Sequence, residues 1–109
     1  MDEQEFRRKA DEALNLLYRA LNDAADDYGF EVDNQAGAIS IEFDEPKGRF
    51  VISPNAPVRQ VWVSAHSKSY KLDWDSVENA FVYGSERQPL KKLVAGAISK
   101  QIGEEVDLG

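Results

Sequence analysis

From Phe6 onward, apolar residues recur at Phe6, Ala10, Leu14, Leu17, Leu21, Ala24 and Tyr28, at spacings of four and three. That period predicts one long amphipathic helix with a single apolar stripe. Asp2 followed by Glu5 resembles a capping box at its start, and Gly29 supplies its stop. Asn34-Gln35-Ala36-Gly37 then reads as a turn. Beyond it the period drops to two: Ile39, Ile41 and Phe43 alternate with Ser40, Glu42 and Asp44, which predicts a half-buried strand with an acidic outer face. Glu45-Pro46-Lys47-Gly48 reads as a hairpin turn. A second strand follows over Arg49–Ser53, ended by Ser53-Pro54-Asn55-Ala56-Pro57.

In the third strand, Arg59–Ala65, Val61 and Val63 share one face. Gln60, Trp62 and Ser64 therefore share the other, which places a tryptophan on the polar, solvent-facing side. Tyr70, Leu72 and Trp74 alternate with Lys71 and Asp73 in a fourth strand, with Trp74 expected in the core, and Ala80–Tyr83 forms a short fifth. Pro89 opens a second helix with the stripe Leu90, Leu93, Val94, Ala97, Ile98 and Ile102, capped by Gly103. Val106 and Leu108 are placed to fold back over the core. The order helix, strand meander, helix predicts an α+β two-layer sandwich. Its antiparallel sheet of about five strands carries both helices on one face and leaves the other open.

The chain has 109 residues, 42% of them hydrophobic, which is the size of one domain with one core, residues 1–109. It contains no cysteine, so disulfides, thiolate metal sites and a cysteine nucleophile are excluded. The formal net charge of −7 argues against a nucleic-acid or anionic-membrane surface. No apolar run reaches the roughly 20 residues of a membrane span. The opening Met1-Asp2-Glu3 has the character of neither a signal nor a transit peptide, so the expected location is the cytoplasm.

The acidity is uneven. Residues 1–45 hold thirteen acids against four bases, whereas residues 46–109 hold seven acids against nine bases. Asp26 and Asp27 stand at the C-terminal end of the first helix, where carboxylates oppose the macrodipole at a cost of a few tenths of a kcal/mol or more each. Two readings of these acids stay open: a solvated face that aids solubility, and a surface of hard oxygen ligands for a cation. No His or Cys accompanies them, and there is no EF-hand loop or Glu-x-x-His pair, so any metal binding should be exposed, weak and salt-sensitive. His66, the single histidine, sits in Ser64-Ala65-His66-Ser67 without a nucleophile elbow or an orienting acid, and reads as a surface-loop residue. Lys91 and Lys92 read as a solvated helix face.

Four segments in order carry a family resemblance: Glu5-Phe6 with Ala10-Asp11, Gly37-Ala38-Ile39-Ser40-Ile41, Gln60-Val61-Trp62-Val63-Ser64, and Tyr70-Lys71-Leu72-Asp73-Trp74. Together they resemble the frataxin family, in its short bacterial, CyaY-type form. The resemblance implies an iron-binding protein of iron–sulfur cluster assembly, without catalytic residues, that contacts the cysteine desulfurase and the cluster scaffold protein. Carried over by position, it implies iron ligands at Glu12, Asp23, Asp26, Asp27, Glu31, Asp33, Glu42, Asp44 and Glu45. It also implies a partner-facing patch at Gln60, Trp62 and Ser64, and a monomer in the absence of metal. The chain departs from the family where Tyr18, Arg19, Asn22 and Ala25 stand at positions often acidic in bacterial members. The alternative is an acidic adaptor or inhibitor that binds a basic protein surface without metal.

Overall fold

The structure, a computed structural model, describes residues 1–108. Helix α1 spans Glu3–Tyr28. Asp2 caps it by accepting from the Glu5 amide, and Gly29, at φ 74°, closes it with its own amide on the Ala25 carbonyl. The whole predicted stripe from Phe6 to Ala24 is buried, and Tyr28 is half-buried against the core.

The strands are β1 (Glu31–Gln35), β2 (Ala38–Asp44), β3 (Lys47–Asn55), β4 (Gln60–Ala65), β5 (Lys68–Asp75), β6 (Ala80–Tyr83) and β7 (Gln88–Pro89), followed by helix α2 (Leu90–Ile102). Every strand pairs antiparallel with its neighbour in sequence, so the sheet order is β1 through β7. Seven strands replace the expected five, and both additions lie at sheet edges. β1 has one apolar residue, Val32, in Glu31-Val32-Asp33-Asn34-Gln35, so it shows no period; its ladder on β2 defines it. β7 is two residues long.

Four boundaries also move, the first being that β4 begins at Gln60 rather than Arg59, which lies at φ 53° after the 3-10 turn Ala56–Val58. The β1–β2 turn is only Ala36-Gly37, both at positive φ. β3 begins at Lys47 and runs through Pro54, which sits opposite Val61 near the strand's end. Pro89 caps α2 from outside the helix rather than within it.

The inner sheet face presents Ile39, Ile41, Phe43, Phe50, Ile52, Val61, Val63 and Leu72 to the two helices, each at most 3% exposed. Phe6 of α1 meets Phe81 edge-on at 5.8 Å between centroids. Among the described residues no polar or charged side chain is buried in this core. Val106 and Leu108 are buried as expected, and the Val106 amide donates to Ser99 Oγ at 2.9 Å. Trp74 is half-buried at the rim of the core instead of inside it, edge-on to Phe81 at 5.2 Å with Lys9 Nζ above its ring.

The outer face is uncovered. Cross-strand register sets out its rows: Asp33, Ser40, Val51, Ser64 and Ser69; then Ser53, Trp62 and Lys71; then Asn55, Gln60, Asp73 and Val82. Val51 and Val82 are the aliphatic residues of these rows, and Val82 is buried.

Candidate functional site: an acidic end and an open sheet face

The sequence-predicted carboxylates fall into three groups. Asp23, Asp26 and Asp27 are exposed on the C-terminal part of α1, and no basic residue occupies its last turn. Across Gly29-Phe30, Glu31 enters β1 directly opposite Glu42 of β2. Directly opposed like charges on a sheet destabilise it. Asp33 lies two residues along the same outer face, and Glu31, Asp33, Ser40, Glu42 and Arg49 share the wall of one open depression. Arg49, opposite Glu42, approaches it at 3.8 Å, an exposed contact worth at most about 1 kcal/mol. Asp44 and Glu45 form the third group at the β2–β3 turn, where Asp44 faces Lys47. That turn is tied to the end of α2, because Gln101 Nε2 donates to the Pro46 carbonyl at 2.6 Å.

Glu12 is not part of this assembly. It lies eleven residues before Asp23, about 16 Å along the helix axis. It lines an apolar groove of about 280 Å³ with Lys9, Leu16, Trp74 and Lys91. No three Asp, Glu, His or Cys side chains among the described residues converge as a preformed metal cage.

The sequence reading missed one contributor. Burial of Val106 and Leu108 lays the C-terminal tail beside α1, with the Asp107 amide 3.5 Å from the Tyr28 hydroxyl. Glu104, Glu105 and Asp107 are exposed on that tail. The signal was available: if Val106 and Leu108 point inward, Asp107 between them points out. A tally of charge by chain position hides it, because the tail returns to the acidic end only in three dimensions.

On the open face, Trp62 is half-buried rather than fully exposed. Its Nε1 donates to Gln60 Oε1 at 3.0 Å, and Lys71 Nζ lies 5.0 Å from its ring centroid. Ser64, next along β4, is exposed. His66 belongs to a two-residue hairpin turn with Ser67, both at positive φ. Its Nε2 donates to the Ala97 carbonyl at 3.1 Å and its ring stands edge-on to Phe50, so it ties the β4–β5 turn to α2. Lys91 is half-buried in the apolar groove, and Lys92 is exposed.

A sequence profile described as the frataxin-like domain matches residues 1–104. The chain belongs to the frataxin-like family. Among curated relatives, the iron-sulfur cluster assembly protein CyaY of Ectopseudomonas mendocina is 31% identical over 96 residues, covering 86% of each chain. That of Pseudomonas aeruginosa is 30% identical over 96 residues, covering 86% of this chain and 88% of the relative. The mitochondrial frataxin of Arabidopsis thaliana is 28% identical over 112 residues, spanning 99% of this chain and 59% of the longer plant protein. A solved frataxin from Psychromonas ingrahamii superposes with a TM-score of 0.77 at 22% identity, over 100% of this chain and 99% of that one, which establishes the shared frataxin fold. No helix among the described residues is long and apolar enough to cross a membrane.

Proposed function

We propose that this frataxin-family chain serves iron–sulfur cluster assembly, the process for which its bacterial relatives are named. It takes iron as cargo on exposed carboxylates and docks on the cysteine desulfurase and its scaffold protein. The observation that carries the iron reading is the acidic end itself. Asp26 and Asp27 oppose the α1 dipole and Glu31 opposes Glu42, so the surface holds carboxylates at a cost to stability. A bound cation relieves both repulsions.

The donor set is oxygen only and without a cage, which suits weak, water-rich coordination of ferrous or ferric iron by one or two carboxylates at a time. The same acids attract a basic patch on the desulfurase, so metal and partner compete. The chain acts without catalysis of its own, as a monomer until metal is added, and in the cytoplasm. Stopped-flow oxygen consumption in excess of the protein-free rate would overturn the first of these three statements.

Anaerobic titration with ferrous and then ferric iron, followed by backbone NMR at low and physiological salt, tests the iron reading. Shifts are expected at Asp23, Asp26, Asp27, Glu31 and Glu42, weaker at the higher salt. Silence at all five positions rejects iron binding here. The dispersal of the carboxylates favours a second reading, an acidic adaptor that holds a basic partner without metal. It keeps the salt-sensitive association and loses only the metal response.

A further inference from the structure

Gln60 and Trp62 on β4 and Lys71 and Asp73 on β5 form a closed block of four on the open sheet face. Gln60 is directly opposite Asp73, and Trp62 is directly opposite Lys71. Within the block, the Trp62 indole N–H donates to Gln60 Oε1 at 3.0 Å, and Gln60 Nε2 donates to Asp73 Oδ1 at 3.1 Å. The Lys71 ammonium stands 5.0 Å from the indole centroid.

The residue types explain the arrangement. An indole N–H can only donate, and a carboxylate can only accept. The group between them must therefore accept on one side and donate on the other, and a glutamine amide does both. The two partners also fix which end of that amide is oxygen. With a full negative charge at one end of the chain, the amide is polarised and its oxygen becomes a stronger acceptor for the indole.

We infer that Asp73 is a positioning residue for the Trp62 docking surface. It acts through Gln60 to fix the orientation of the indole, with its N–H engaged within the block. Trp62 then meets a partner with the apolar edge and face of its ring rather than as a hydrogen-bond donor. The fitting partner is a protein presenting an apolar side chain over the ring, with an acceptor in reach of Lys71. Asp73 has no contact with that partner in this scheme. The inference rests on the reading of this face as a partner surface.

Charge-swap variants test it in the full-length chain, with Trp74→Phe as background so that Trp62 alone reports. Gln60→Glu sets a second carboxylate against that of Asp73, and their repulsion swings the new side chain away from the indole N–H. Gln60→Glu combined with Asp73→Asn restores the relay, because the asparagine amide donates to the new carboxylate. The readouts are the Trp62 indole N–H cross-peak with its hydrogen-exchange rate, and affinity for the purified scaffold protein. Asp73→Ala and Gln60→Glu should each shift the cross-peak, speed its exchange and weaken binding about tenfold, as expected for loss of a charge-assisted hydrogen bond. The double variant should recover most of both readouts, with urea midpoints near that of the background. If Trp62→Ala leaves scaffold binding unchanged, the partner-surface reading fails while the cross-peak still reports on the relay. If Trp62→Ala abolishes binding but Asp73→Ala and Gln60→Glu move neither readout, or the double variant behaves no better than Gln60→Glu, the positioning role is wrong.

Discussion

The two sides of the molecule obey opposite rules. On the inner sheet face and the facing helix stripe, every residue that the period marks as apolar is in the core or packed at its rim, and no buried polar side chain lacks a partner among the described residues. On the outside, stability is compromised in identifiable places. Two aspartates sit at the wrong end of α1, two glutamates face each other across β1 and β2, and a large aromatic ring lies on an uncovered sheet. Features that local physics disfavours mark where a protein does something other than fold. The contrast is what supports placing the proposed working surface on the outside.

The contrast can be broken most directly at Phe6. Replacing it with alanine removes a fully buried ring packed on Phe81 and should cost about 3–5 kcal/mol by urea denaturation, a large part of a small domain's stability. Trp62→Ala, on the outer face, should cost only about 1 kcal/mol of stability yet weaken partner binding about thirtyfold, the signature of an anchor. Equal losses of stability in the two variants would remove the distinction between the faces.

Asp26→Asn and Asp27→Asn reverse the usual sign. Each should raise the urea midpoint by the equivalent of about 0.3–1 kcal/mol while lowering affinity for iron. A stability loss in either variant would show that these acids serve the fold.

The smallest effect belongs to Asp75, an outer carboxylate that does serve the fold. The Glu78 amide, with the Val77 amide and the Arg87 guanidinium, holds its carboxyl below the ordinary 3.8, against opposing desolvation. A depressed folded pKa means stability that is present above pH 3.8 and lost as pH falls through the folded value. Asp75→Asn should therefore flatten the acid limb of the stability–pH curve in that window.

Most of the inner side was legible in the sequence, because burial imposes a period. The stripe from Phe6 to Ala24 and the alternation Ile39, Ile41, Phe43 each identify an element and a face. The outer side was legible only in part. β1 has no period to read, since both its edge position and its outer face are polar. The His66-Ser67 hairpin carries neither glycine nor asparagine, so turn chemistry did not announce it. Glu12 shares the helix's solvent side with Asp23, and sequence spacing could not show that the strand carboxylates gather only at the far end. Alternation places Trp62 on the outer face, but its half-burial depends on Gln60 and on Lys71 of the next strand.

The meander also governs how quickly the fold is reached. Every sheet connection is two or four residues long, and each strand pairs only with the strand beside it in sequence. Ring closure therefore costs little entropy at any hairpin, and pairing can spread in either direction from whichever forms first. The distant partners are the chain's two ends, α1 and the tail after α2, which come together over the sheet. Refolding should accordingly be fast for a β-rich protein, with docking of the terminal helices setting the rate.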